Sequence, residues 1–181
     1  MKFTFKTRIA ATVLLLGMAA SMGVQADSGT IVVTGQLLGQ NCRVNGSTQD
    51  QDITVNVALP TVSRTALRTA GSTTGLRPFR IALTECPAGT YYMHFEANGN
   101  TNLEQGTLTN ATTGTNAATN VEVQLLNNSM QPIHIVTNQG SQAIATTEGA
   151  ANFDYYMRYI SRGNATAGAF SSRLGFTLAY N

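Results

Sequence analysis

The sequence has 181 residues, with 11 basic and 9 acidic side chains and a formal net charge of +2. Lys2, Lys6 and Arg8 sit in the first eight positions, so the rest carries 8 Arg against 9 acids, 8 − 9 = −1, and no lysine. The apparent basicity therefore belongs to the first eight residues and gives no support for a nucleic-acid partner, which needs a clustered basic face. The absence of lysine removes the nucleophile for lysine isopeptide cross-links. At 11% charged residues, against the ~25% usual for soluble domains, the chain suits β structure with a polar, uncharged surface.

Residues 1–26 have the three parts of a secretory signal: the basic start, an apolar stretch from Ile9 to Met22, and Val24-Gln25-Ala26 as an A-x-A-like exit. The apolar stretch is short and glycine-interrupted for a transmembrane helix, and a retained membrane anchor is the alternative reading. Cleavage is expected after Ala26, leaving 181 − 26 = 155 residues, enough for one domain with its own core.

Period-2 alternation then recurs along the chain. Ile31, Val33, Gly35 and Leu37 form the first apolar row, with a glycine inside it. Ile53, Val55, Val57 and Leu59 form the next, followed by a short helical turn expected between Arg64 and Ala70. Further rows are Phe79, Ile81 and Leu83; Tyr91, Met93, Phe95 and Ala97; Val121, Val123 and Leu125; and Phe153, Tyr155, Met157 and Tyr159. Ile133 and Ile135 suggest a short strand after Pro132. The last strand is expected to be the longest, with Phe170, Leu174, Phe176, Leu178 and Tyr180 on one face and Ser172 as a polar interruption. Stretches such as TAGSTTG, CPAGT, LTNATTGTNAATN and RGNATAG punctuate these rows as turns. The pattern predicts an all-β, antiparallel, immunoglobulin-like sandwich whose two terminal rows both carry an apolar face, with no further strand after the last.

Cys42 and Cys86 are an even count in an exported chain and read as one disulfide. It would close a loop of about 45 residues, worth roughly 4 kcal/mol in the chain-entropy model. A zinc pair would need further ligands, and the histidines, His94 and His134, come singly on strand-like stretches. No metal or other cofactor is implied. Catalysis finds no support either: there is no Gly-x-Ser-x-Gly stretch, no phosphate-cradling glycine loop, and no free thiol nucleophile.

The N-terminal alternating row ending just before Cys42, the Cys42–Cys86 spacing with its CPAGT turn, the aromatic YYMRYISR strand, and a C-terminal pattern running from Gly168 to the penultimate Tyr180 together resemble the type 1 fimbrial subunits, the pilins of the chaperone–usher pathway. The resemblance implies an immunoglobulin-like sandwich lacking its last strand and completed by donor-strand exchange. It divides the chain into a signal peptide (1–26), a donor-strand extension (27–40) and a pilin domain (41–181). Ile31, Val33, Gly35 and Leu37 would then face the core of a neighbouring subunit. Gly168, Phe170, Leu174, Phe176, Leu178 and Tyr180 would wall the groove and pair with the chaperone. The implied partners are other copies of the chain and related pilins, a periplasmic chaperone and an outer-membrane usher. The implied location is the periplasm in transit and then the cell-surface fimbria. Periodicity alone does not separate a donor strand from an ordinary edge strand of the same domain. Two other roles stay open: a minor or adaptor pilin of the same fimbria, and a carbohydrate-binding adhesin. The single domain with an extension argues against the adhesin, since two-domain tip adhesins of this family carry a lectin domain in place of the extension.

Overall fold

The computed structural model describes residues 42–47, 53–147 and 149–180. The expected signal peptide, the donor row Ile31 to Leu37 and the terminal Asn181 lie outside the described residues.

Nine strands and one 3-10 turn make up the described chain: β1 (Arg43–Val44), the turn (Arg64–Leu67), β2 (Thr73–Cys86), β3 (Gly89–Glu96), β4 (Thr101–Asn102), β5 (Thr107–Leu108), β6 (Val121–Leu126), β7 (Ala143–Thr146), β8 (Gly149–Ser161) and β9 (Gly175–Tyr180). They form a six-stranded sheet in the order β1-β2-β8-β6-β5-β4 and a three-stranded sheet in the order β7-β3-β9. All the ladders are antiparallel.

The long pair β2–β8 is the spine of the first sheet, with Phe79 opposite Tyr155 and Ile81 opposite Phe153. Period-2 alternation sends Ile81, Leu83, Phe153 and Tyr155 inward, each 1% exposed or less. On the outer face, Arg80 makes a two-pronged ion pair with its cross-strand neighbour Asp154, at 2.6 and 3.0 Å. Tyr155 meets Phe95 of the second sheet edge-on, ring centroids 5.3 Å apart, so one aromatic contact ties the two layers together. Cys42 and Cys86 are joined in a disulfide, which pins the chain ahead of β1 to the end of β2.

Three expected elements differ. Residues 53–59 keep the alternation of exposure expected of a strand but belong to no ladder. Ile133 and Ile135 are buried, yet their segment makes isolated bridges, Leu126 to Pro132 and His134 to Gln139, rather than a strand. The last strand starts at Gly175, not near Phe170. The physical reason is shared: apolar alternation shows which face is buried, but a ladder needs a neighbour, and two of these segments flank a gap. The turn at Arg64 lies within the range expected for it, with Ser63 Oγ accepting from Thr65 N at its start.

Candidate functional site

The two unpaired segments are the walls of one groove of about 830 Å³. One wall is residues 53–59, contributing Ile53, Val55, Val57 and Leu59. The other is the run into β9, contributing Phe170, Ser172, Leu174 and Phe176. The floor comes from both sheets: Phe79 and Ile81 of β2, Phe95 of β3, Leu108 of β5, Val123 of β6, and Met157 and Tyr159 of β8. The wall residues and Phe79, Met157 and Tyr159 are half-buried, whereas Ile81, Phe95, Leu108 and Val123 are buried. The core is therefore closed beneath the groove and open along it.

Main-chain hydrogen bonding shows what the groove lacks. Along the second wall, odd-numbered residues are anchored outward. Ala169 N donates to Asn116 O at 2.7 Å, Ala111 N donates to Ser171 O at 2.7 Å, Ser171 N donates to Asn110 Oδ1 at 3.0 Å, and Asn98 Nδ2 donates to Arg173 O at 2.8 Å. In an extended chain, alternate residues direct their main-chain groups to opposite edges. Those of Phe170, Ser172 and Leu174 consequently face the groove edge, and they bond no other described residue. On the first wall, the one hydrogen bond among the described residues is Arg77 Nε to Ala58 O, 2.7 Å. An apolar trough thus runs between two extended segments whose groove-side main-chain groups bond no other described residue, the requirements for strand addition.

β9 pairs with β3 through Phe176 opposite Phe95, Leu178 opposite Met93 and Tyr180 opposite Tyr91. These three side chains share the core face, as their spacing predicts. The Tyr180 and Tyr91 rings lie 5.9 Å apart, although Tyr180 is 42% exposed. Gly168 departs from its expected place in the groove wall. It lies against the loop at 116–118, where a Cβ would come within 2.4 Å of Ala118 N and 2.5 Å of Ala117 C. Its glycine character serves a close backbone crossing, marked by the parallel bridge between Ala117 and Ala169.

Sequence reasoning did not assign the first wall or the floor to the site. The signal was present in the row from Ile53 to Leu59, but nothing in the sequence states that this row and the one ending at Tyr180 flank the same space. The anchoring amides of Asn98 and Asn110 were also unforeseen, as short polar side chains in turns carry no mark of their distant partners.

Charge is kept off the floor. Burial raises the pKa of Tyr159, which favours the neutral phenol. His94 is exposed, and His134 is half-buried, its Nε2 3.2 Å from Glu104 O. No group of three or more His, Cys, Asp or Glu able to hold a metal ion occurs among the described residues. One polar atom inside the groove wall is unusual: Ser172 Oγ is buried and has no hydrogen-bond partner.

A two-layer antiparallel sandwich whose smaller sheet ends at β9, beside a strand-wide apolar groove, is an immunoglobulin-like domain short of its final strand. The model of the type-1 fimbrial protein A family matches residues 59–181, and the chain belongs to that family. It is 36% identical to the major fimbrial subunit SMF-1 of Stenotrophomonas maltophilia (strain K279a), over 90% of this chain and 98% of that one. It is 35% identical to the F17 fimbrial protein of Escherichia coli, over 92% and 94% of the two chains. Among solved structures, a chaperone–usher pilus shares the fold with a TM-score of 0.57 at 18% identity, over 87% of this chain and 98% of that one. The protein is a structural subunit of a chaperone–usher fimbria, secreted and surface-exposed, and not an enzyme.

Proposed function

We propose that this subunit builds the fimbrial shaft by giving residues 27–40 to the groove of the next copy and receiving the same segment from the copy before it. Ile31, Val33, Gly35 and Leu37 are the inward row of the donated strand. The groove supports this reading best: it joins an apolar trough to two edges whose main-chain groups are unpaired among the described residues, so a single inserted strand meets both demands at once. Burial of each Ile, Val or Leu is worth about 1.5–3 kcal/mol, and each new ladder bond about 0.5–1.5 kcal/mol net. A head-to-tail link of this kind does not close on itself and gives an open fibre.

The same reading extends to the rest of the pathway. Signal cleavage after Ala26 frees the extension, and 41–181 is the folding domain. An open groove exposes apolar surface and strand edges, an aggregation hazard, so a periplasmic chaperone strand covers it until an outer-membrane usher exchanges it for the next extension. The even-numbered row Phe170 to Tyr180 is the edge that strand pairs with. The resemblance to a major fimbrial subunit favours a shaft role over a minor or adaptor one.

The test is deletion of residues 27–38. The truncated subunit should still accumulate with its chaperone and accept an incoming extension, but should not extend a fibre. Surface filaments made of the truncated chain alone, seen by electron microscopy, would overturn the assignment.

A further inference from the structure

β3 and β9 pair in one constant register, from Tyr91 opposite Tyr180 to Glu96 opposite Gly175. Two steps further, the same register would set Asn98 against Arg173. The main chain does not go that far. β3 ends at Glu96, and the chain turns away, Thr101 N donating back to Asn98 O at 3.0 Å. The side chain of Asn98 bridges the distance instead. Its Nδ2 donates to Arg173 O at 2.8 Å, while its Oδ1 accepts from Asn100 N at 2.8 Å and locks the amide in the turn.

A second asparagine continues the line. Asn110 fills every hydrogen-bonding position of its amide. Its Oδ1 accepts from Ser171 N and Thr112 N, both at 3.0 Å, and its Nδ2 donates to Ala169 O and Ala118 O, both at 2.9 Å. Main-chain bonds from the same loop join it, Ala111 N to Ser171 O and Ala118 N to Ala169 O, and Asn110 ties that loop to the wall. Residues 169–173 belong to no strand, yet Ala169, Ser171 and Arg173 are all held along their outer edge.

We infer that Asn98 and Asn110 are positioning residues for strand acceptance: their amides stand in for the neighbour that β3 ceases to be, and extend the accepting edge from β9 back to Phe170. This rests on the donated-strand reading. By alternation, the main-chain groups that face the groove are those of Phe170, Ser172 and Leu174 along the wall and of Phe176 and Leu178 along β9. The last two are backed by the β3 ladder. The first three are backed by the amides and the loop that Asn110 holds. Released on its outer side, the wall would be free to bend, and an incoming strand would have to order it as well as itself. With the amides in place the wall is extended before any strand arrives, which is preorganisation.

Two aspartate variants test this with little change of shape. Asn98→Asp keeps the oxygen that accepts from Asn100 N and loses the donor to Arg173 O. Asn110→Asp keeps the oxygen that accepts from Ser171 N and loses the donors to Ala169 O and Ala118 O. Parent and variants, as full-length chains in complex with the periplasmic chaperone, are challenged with a synthetic peptide copying residues 27–40. Hydrogen exchange of single main-chain amides is then read in the peptide-filled subunit. In the parent, all five groove-facing amides should be protected. In Asn98→Asp, Leu174 should exchange about tenfold faster, and in Asn110→Asp, Phe170 should do so, with Phe176 and Leu178 unchanged in both. Parental protection throughout both variants would overturn the positioning role. An equal loss at all five amides would overturn it too, because it would assign the asparagines to general stability. A parent that takes up no peptide would overturn strand donation, and this role with it.

Discussion

Asn138 pairs its side-chain amide with the main chain of Phe95, Oδ1 accepting from the N–H at 2.6 Å and Nδ2 donating to the carbonyl at 2.9 Å. β7 pairs with β3 only from Gly89 to Tyr92. Beyond that point, side chains take over the edge: Ser141 Oγ donates to Met93 O at 2.7 Å, and Asn138 serves Phe95. Asn138 holds a positive φ of 56°, a conformation asparagine tolerates better than most residues. Phe95 lies on the groove floor, so a loop residue far away in sequence fixes the floor's geometry.

Replacing Asn138 with alanine should leave two main-chain groups of a buried residue unpaired. The expected loss is about 1–3 kcal/mol of folding stability, read as a lowered thermal midpoint of the purified chain. Asn56→Ala, at an exposed position, should leave the midpoint nearly unchanged.

The disulfide between Cys42 and Cys86 spans a sequence separation of 44, and the loop it closes contains the whole first wall of the groove. The double variant Cys42→Ser, Cys86→Ser should lose about 4 kcal/mol and accumulate poorly in the periplasm. Normal accumulation and an unchanged denaturation midpoint would show that the bridge contributes little.

Gly168 and Gly99 make a matched contrast. A Cβ on Gly168 would meet the backbone at 2.4 Å from Ala118 N, whereas one on Gly99 would meet nothing within 4 Å. Gly168→Ala should therefore destabilise the chain by about 1–3 kcal/mol, as overpacking does where backbone must move. Gly99→Ala should be neutral or slightly stabilising. Thermal unfolding of the two variants beside the parent measures both.

These contrasts show where sequence is informative. Strand faces were legible, because alternation at Phe79, Ile81, Phe153 and Tyr155 records burial directly. Pairing was less so. The row from Ile53 to Leu59 reads as a strand, and Phe170 and Leu174 read as part of one, since alternation registers a buried face but not a missing neighbour. Gly168 reads from its spacing as part of the groove strand, whereas its location against Ala118 depends on a chain crossing about fifty residues away. The short strands β4, β5 and β7 went unseen, as two to four residues are too few for a period to show.

Glu122 gives the chain a pH dependence. Burial pushes its carboxyl up, but hydrogen bonds from Arg162, Thr107 and Asn102 and the charge of Arg162 together outweigh that and hold it below the usual glutamate range. In the unfolded chain the group is ordinary, so on the acid side the unfolded state binds more protons than the folded one. The stability this cluster contributes is complete above the ordinary glutamate pKa and is lost as pH falls toward the lower folded value. Glu122→Gln should flatten that part of the profile. The stability difference between parent and variant should shrink on acidification from about pH 6 to about pH 3. A constant difference would assign the acid sensitivity to other groups.

Val55→Asp tests whether the first wall takes part in assembly. Val55 is half-buried and lines the groove, so in the open subunit an aspartate there keeps contact with water and folding should suffer little. Once a strand fills the groove, the same carboxylate would be enclosed without a partner, which costs several kcal/mol. The variant should accumulate in the periplasm at near-parental level while its incorporation into fibres falls by about a hundredfold or more. Asn56→Asp introduces the same charge one residue along, on the exposed face, and should assemble normally. Equal incorporation of the two variants would mean that residues 53–59 are surface rather than wall, and would confine the strand-accepting edge to the side of β9.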